Sequence, residues 1–115
     1  MKLIDIEPLQ SVLAEFVRAR DWQQYHSPKN LAMALSVEVA ELVEIFQWST
    51  EAQSRAVMQT DEAEHVRHEL ADIFLYLAQL ARALDVDLNA AVETKLALNA
   101  QKYPVPEPGP GPSGS

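Results

Sequence analysis

No cysteine occurs anywhere in this 115-residue chain, which excludes a disulfide framework, a thiolate metal site and a thiol nucleophile. Glycine is almost as scarce, with three residues confined to positions 109, 111 and 114, and runs of β-type alternation are missing too. Basic residues are outnumbered: nine Lys and Arg against 17 Asp and Glu leave a net charge of -8 and a pI near 4.7. A protein that coats nucleic acid needs phosphate-neutralising cations, so no nucleic-acid partner is expected. Uninterrupted apolar runs fall short of the roughly 18 residues of a membrane span, and MKLIDIEPLQ lacks a basic segment followed by an apolar one. No membrane partner is expected, and the expected location is cytoplasmic.

What is present is helical. A hydrophobic content of 48% can build a core, and the expected organisation is one all-α domain over residues 1–104 followed by a disordered Pro/Gly/Ser tail over 105–115. The periodicity predicts a first helix from about Asp5 to Asp21, with Leu9, Val12, Leu13, Phe16 and Val17 on one face and Pro8 in its first turn. Ser27 followed by Pro28 reads as a cap and first position for a second helix reaching about Trp48, with Ser49 and Thr50 ending it. Glu51 to Gln59 is weakly patterned. A third helix is expected from a cap at Thr60 or Asp61 to about Asp85, with Val66, Leu70, Ile73, Phe74, Leu77, Leu80, Ala81 and Leu84 facing the core. Asp87 should cap a fourth, which stops at Tyr103 and Pro104.

Two carboxylate pairs stand out. Glu38 and Glu41 on the second helix, and Glu69 and Asp72 on the third, are each three residues apart and so share a helical face beside apolar stripes. Four facing carboxylates repel one another and are costly to desolvate, and a divalent cation removes both penalties. Magnesium suits such oxygen ligands, since it keeps several waters and shares its site with substrate phosphate. Taken alone, one such pair is read as the solvated side of an amphipathic helix, and only two pairs on neighbouring helices give metal binding equal standing.

The flanks narrow the choice. RDWQQYHSPKNLAMALSVEVAELVEIFQW, then HELADIFLYLAQLA, then VDLNAAVETKLALNAQKYP, resemble the all-α NTP pyrophosphohydrolases of the MazG-like superfamily, and most of all their dCTP pyrophosphatase branch. The resemblance covers about Glu15 to Pro104. It implies magnesium held by Glu38, Glu41, Glu69 and Asp72, and hydrolysis of a nucleoside triphosphate to monophosphate and pyrophosphate in house-cleaning of the nucleotide pool. It also implies a four-helix-bundle-type subunit that assembles with itself into a homodimer or homotetramer, with a neighbour capping the site.

Substrate contacts follow from the same resemblance. Lys95, Asn99 and Lys102 share one helix face, and the family's KxxxNxxxYP pattern, here Lys95, Asn99, Tyr103 and Pro104, implies phosphate contacts. By spacing alone they are an ordinary basic face. Trp22 and Trp48 match aromatic positions that stack on the base, and Tyr76 lies one turn after Asp72; read singly, each tryptophan is packing at a helix end. Leu13 departs from the pattern, standing where some eukaryotic relatives are expected to carry a polar or His side chain near the base, which argues against a strict dCTP preference. His65 and His68 lie one turn from Glu69 and Asp72 and are read either as hydrogen-bond partners of those carboxylates or as surface residues. Glu62 and His65 make a single Glu-x-x-His, whereas helical di-iron sites need two. A helical dimerisation or adaptor module with an acidic face is the non-enzymatic alternative.

Overall fold

The computed structural model describes residues 2–106, so most of the tail expected over 105–115 lies outside the described residues. Every regular element among them is helical: α1 (Glu7–Ala19), α2 (Pro28–Phe46), α3 (Glu51–Arg55), α4 (Ala63–Ala83) and α5 (Leu88–Lys102), with 3-10 turns at Gln23–Tyr25 and Val57–Gln59. The chain divides into two compact units. One spans Ile6–Val86 and carries α1 to α4; the other joins Met1–Asp5 to the segment from Asp87 onward and carries α5.

In the larger unit, Pro28 begins α2 where its missing N–H costs nothing, and the Ser27 hydroxyl accepts from the Asn30 N–H at 3.1 Å. α2 stops at Phe46, slightly short of Trp48. Thr50 does not end that helix but opens α3, through a reciprocal cap in which Thr50 and Gln53 satisfy each other's backbone N–H groups. A fifth, short helix therefore occupies part of the stretch that shows little apolar pattern. The N-cap of α4 is Glu62, one residue past the expected Thr60 or Asp61, and its side chain makes no cap, although the Thr60 hydroxyl accepts from the Glu62 N–H at 3.2 Å.

Helix ends show how a body without glycine turns its chain. Asp21 and Asp85 have φ of 54° and 56°, the left-handed region. Each stands just past a helix, and the next residue closes back five positions: Trp22 N–H to the Val17 carbonyl at 3.0 Å, and Val86 N–H to the Ala81 carbonyl at 2.8 Å. This is the Schellman arrangement, with aspartate in the place usually taken by glycine.

α2 and α4 form the main seam of the unit, and α1 is pinned to α4 by Gln10 Nε2 donating to the Ala78 carbonyl at 2.9 Å. Leu31, Val66, Ala78 and Ala81 are the buried apolar residues among those described. The wider core face expected on α4 is corrected here: Leu70, Phe74, Leu77 and Leu84 are exposed, at 53%, 46%, 37% and 54%. α4 is apolar over more of its circumference than α2 and α1 cover, so a second stripe is left at the surface.

In the smaller unit, Asp87 caps α5 by accepting from the Ala90 N–H at 3.0 Å. Asn89 then ties the N-terminal segment to that first turn, its Oδ1 accepting from Leu3 and Ile4 N–H at 2.7 and 3.0 Å and its Nδ2 donating to Glu93 at 2.7 Å.

Candidate active site

Glu38 and Glu41 on α2 meet Glu69 on α4, with one carboxylate oxygen from each lying within 4.8 Å of the others. The meeting is a consequence of spacing. Residues three apart share a helix face, α2 and α4 pack along those faces, and the contact of residue 38 with residue 69 makes the carboxylate cluster part of the seam. Glu69 is 6% exposed; Glu38 and Glu41 are half-buried. Asp72, one turn further along α4, is half-buried and outside the tight trio, but its charge reaches Glu38.

Carboxylates carry no donor of their own, and Glu38 Oε2 and Glu69 Oε2 are both buried without a hydrogen-bond partner. A proton shared between the carboxylates or a bound cation would satisfy them. A proton shared with Glu69 is the largest reason that the Glu38 carboxyl is pushed up to about 7, with burial and the charges of Glu41, Glu69 and Asp72 adding to it. Glu41 is raised as well, first by hydrogen bonding to Glu69, then by the charge of Glu69 and by burial. Clustered oxygens with two orphaned acceptors and, among the described residues, no competing Lys or Arg ion pair fit a hard divalent cation.

His65 sits beside the trio. Its Nδ1 is 3.0 Å from Glu62 Oε2 and its Nε2 is 3.5 Å from Glu69 Oε1, and the Glu62 contact is the main cause of its raised pKa. His68 turns to Glu64 instead, at 3.6 Å.

The proposed base contacts are dispersed. Trp22 packs edge to face on Phe16, ring centroids 5.7 Å apart, with the Arg20 guanidinium over the Phe16 ring. Trp48 is 88% exposed beyond the end of α2, and Tyr76 is half-buried on α4. Lys95, Asn99 and Lys102 lie on α5 in the other unit, where the Lys102 ammonium is 5.3 Å from the ring of its neighbour Tyr103.

A feature that sequence reasoning missed lies in the same unit as the carboxylates. A cavity of 640 Å³ opens between α1, the turn that follows it, and the ends of α2 and α4. Its wall includes Gln10, Leu13, Gln23, His26, Gln79 and Arg82. Gln79 falls seven residues after Asp72 and three after Tyr76, so periodicity alone marks it as sharing their face.

Residues 33–109 match the sequence profile described as the MazG-like family. The chain belongs to the MazG-like family. Within it, the chain is 43% identical over 101 residues to dCTP pyrophosphatase 1 of Rattus norvegicus and 40% identical over 100 residues to that of Homo sapiens, covering 87% and 86% of this chain. It spans 59% of the length of each of these relatives. A crystal structure of a pyrophosphatase from Archaeoglobus fulgidus superposes with a TM-score of 0.81 at 40% identity, covering 87% of this chain and 93% of the other. All-helical architecture and membership of the MazG-like family, both expected from the sequence, are thus borne out. Among the described residues no helix is long and apolar enough to cross a membrane.

Proposed function

We propose that this chain is a magnesium-dependent nucleoside triphosphate pyrophosphohydrolase that cuts between the α and β phosphates, releasing monophosphate and pyrophosphate. The observation that carries the reading is the convergence of Glu38, Glu41 and Glu69 with two buried oxygens that have no donor among the described residues, in a chain of the MazG-like family. Glu38, Glu41, Glu69 and Asp72 would hold the cation, which when bound supplies neutralisation of phosphate charge and a more acidic water. Carboxylate oxygens not taken up as ligands are the acceptors that orient the attacking water and receive its proton. Burial of Glu69 keeps bulk water from screening these charges.

Deoxycytidine triphosphate and its modified forms are the substrates this reading favours, on the strength of relatives named dCTP pyrophosphatase. Trp22, Trp48 and Tyr76 are assigned to the base, and Lys95, Asn99 and Lys102 supply the donors the reading assigns to the phosphate chain. The setting is the cytoplasmic nucleotide pool, where the activity removes unwanted triphosphates before a polymerase uses them. The exposed stripe of Leu70, Phe74, Leu77 and Leu84 supports self-association, as a homodimer or homotetramer.

Pyrophosphate release from a panel of NTPs and dNTPs, with magnesium and with chelator, tests the reading. Release of pyrophosphate and monophosphate that stops with chelator is expected. Silence across the panel from a folded sample overturns the enzymatic reading and leaves the acidic-faced adaptor module.

A further inference from the structure

We propose that His65 is a nitrogen ligand, through Nε2, of a cation held at Glu69, and that this donor tunes the site toward a transition-metal ion such as manganese. The inference rests on the reading of the carboxylate cluster as a cation site and adds a donor of a different kind to it.

The arrangement lies along one face of α4. Glu62, His65 and Glu69 follow one another at separations of three and four residues, which makes successive members neighbours on the helix surface. The imidazole is held on one side and open on the other: Nδ1 is 3.0 Å from Glu62 Oε2, and Nε2 is 3.5 Å from Glu69 Oε1. A carboxylate has no proton to give, so the Glu62 contact needs the hydrogen on Nδ1. In the neutral ring Nε2 then carries a lone pair, and it faces an oxygen that carries lone pairs too. Two acceptors so placed repel each other until a cation joins them. Donors adjacent on one divalent ion, each about 2.0–2.2 Å from it, stand roughly 3–3.5 Å apart, so the observed separation suits a shared ion.

Glu69 supplies the independent sign that a cation belongs here. Its side chain is 8% exposed, and its Oε2 has no hydrogen-bond partner among the described residues. The charge of Glu41 on α2 also reaches the His65 ring, which puts the ring at the rim of the trio. A carboxylate that orients a histidine toward a metal is a recurrent device for fixing both the ring and its tautomer. The single Glu-x-x-His of the sequence thereby finds a use, with Glu62 as the group that orients the ring. His65 itself is exposed, which leaves room on the ion for water and phosphate oxygens.

Donor type decides which ion is preferred. Magnesium favours oxygen ligands and retains its waters, whereas imidazole nitrogen favours transition-metal ions. His68 is an internal control, since its ring contacts Glu64 instead, at 3.6 Å.

The test is Mn2+ binding to the untagged full chain at pH 8, after chelator treatment and dialysis, in the wild type, His65→Ala and His68→Ala. Electron spin-echo envelope modulation registers a nitrogen bonded to manganese, and calorimetric titration with Mn2+ and with Mg2+ gives the two affinities. We expect nitrogen modulation in the wild type and in His68→Ala and none in His65→Ala. Mn2+ affinity should fall about tenfold or more in His65→Ala, and Mg2+ affinity by a smaller factor. Manganese bound without nitrogen modulation, modulation that persists in His65→Ala, or equal losses for the two ions overturns the proposal and leaves the carboxylate site standing. A folded wild type, judged by helical circular dichroism, that binds neither ion overturns the cation reading and this inference with it. Should His65→Ala fail to fold, His65→Gln, which also lacks the imidazole, takes its place with the same expected outcomes.

Discussion

Glu69 faces Glu38 across the seam between α2 and α4, and each of the two carboxylates buries an oxygen that no donor of the described residues reaches. Without a cation this pairing opposes folding, because like charges are brought together away from water. Glu69→Gln removes one charge and introduces a donor at the same place. The variant is expected to be more stable than the wild type in chelator, by about 1 kcal/mol, and to gain less from magnesium. Thermal unfolding with and without magnesium measures both. Turnover should fall by more than the roughly 10- to 100-fold typical of losing an outer partner of a metal ligand, since Glu69 is read as a ligand itself.

The pH dependence of the metal-free protein follows with a definite sign. Folding raises the Glu38 carboxyl from its ordinary 4.5 to about 7, so the folded chain binds more protons than the unfolded chain between those values. Stability then falls as pH rises through that window. The raised pKa of His65, due first to its hydrogen bond with Glu62, acts in the same direction: its stabilisation is present at low pH and lost as pH rises. In chelator, Tm should be higher at pH 5 than at pH 8. With saturating magnesium the order should shrink or reverse, because the cation competes with protons for the same oxygens. A Tm in chelator that rises from pH 5 to pH 8 would show that the trio is not held as described.

What the sequence made legible is local. Ser27 before Pro28, and Asp87 before a helical run, announce their caps because cap chemistry is settled within four residues. The carboxylate pairs are visible for the same reason, as spacing of three on a helix decides a shared face. Asp72 shows the limit: spacing pairs it with Glu69, but it lies outside the tight trio, and which of two same-face residues reaches a neighbouring helix is decided by packing and not by spacing. α3 was hidden because Ser49 and Thr50 signal a helix stop and a helix start equally well, and the choice was made by Gln53 reaching back. The cavity was hidden altogether. Its wall joins α1 to α4, and an acceptor is known to be unsatisfied only when all its neighbours are in place.

Asp21 and Asp85 provide a test of backbone chemistry. Both occupy the left-handed region just past a helix, where a Cβ is disfavoured and glycine is tolerated freely. Neither has a side-chain hydrogen bond or ion pair among the described residues. Asp85→Gly is therefore expected to leave stability unchanged or raise it by up to about 1 kcal/mol, whereas Asp85→Val, with a branched side chain, should lower it by about 1–2 kcal/mol. Urea unfolding midpoints rank the three. A valine variant as stable as the wild type would mean that the turn is not held in this conformation.

The stripe of Leu70, Phe74, Leu77 and Leu84 bears on assembly. These residues recur at helical spacing, yet no segment of the described chain covers them, and α2 likewise exposes Met33, Val37 and Val43. Apolar area left open along a main helix stabilises association when a second copy covers it. Because α4 also carries Glu69 and Asp72, a partner seated on this stripe would brace the helix that holds them. Sedimentation of the wild type should therefore report a dimer or larger species, and Leu77→Glu should shift it toward monomer, since a charge would be buried without a partner. Turnover should fall with protein concentration in Leu77→Glu but not in the wild type at the same concentrations. A wild type that sediments as a monomer, or a Leu77→Glu variant with unchanged assembly, would remove this stripe as the interface.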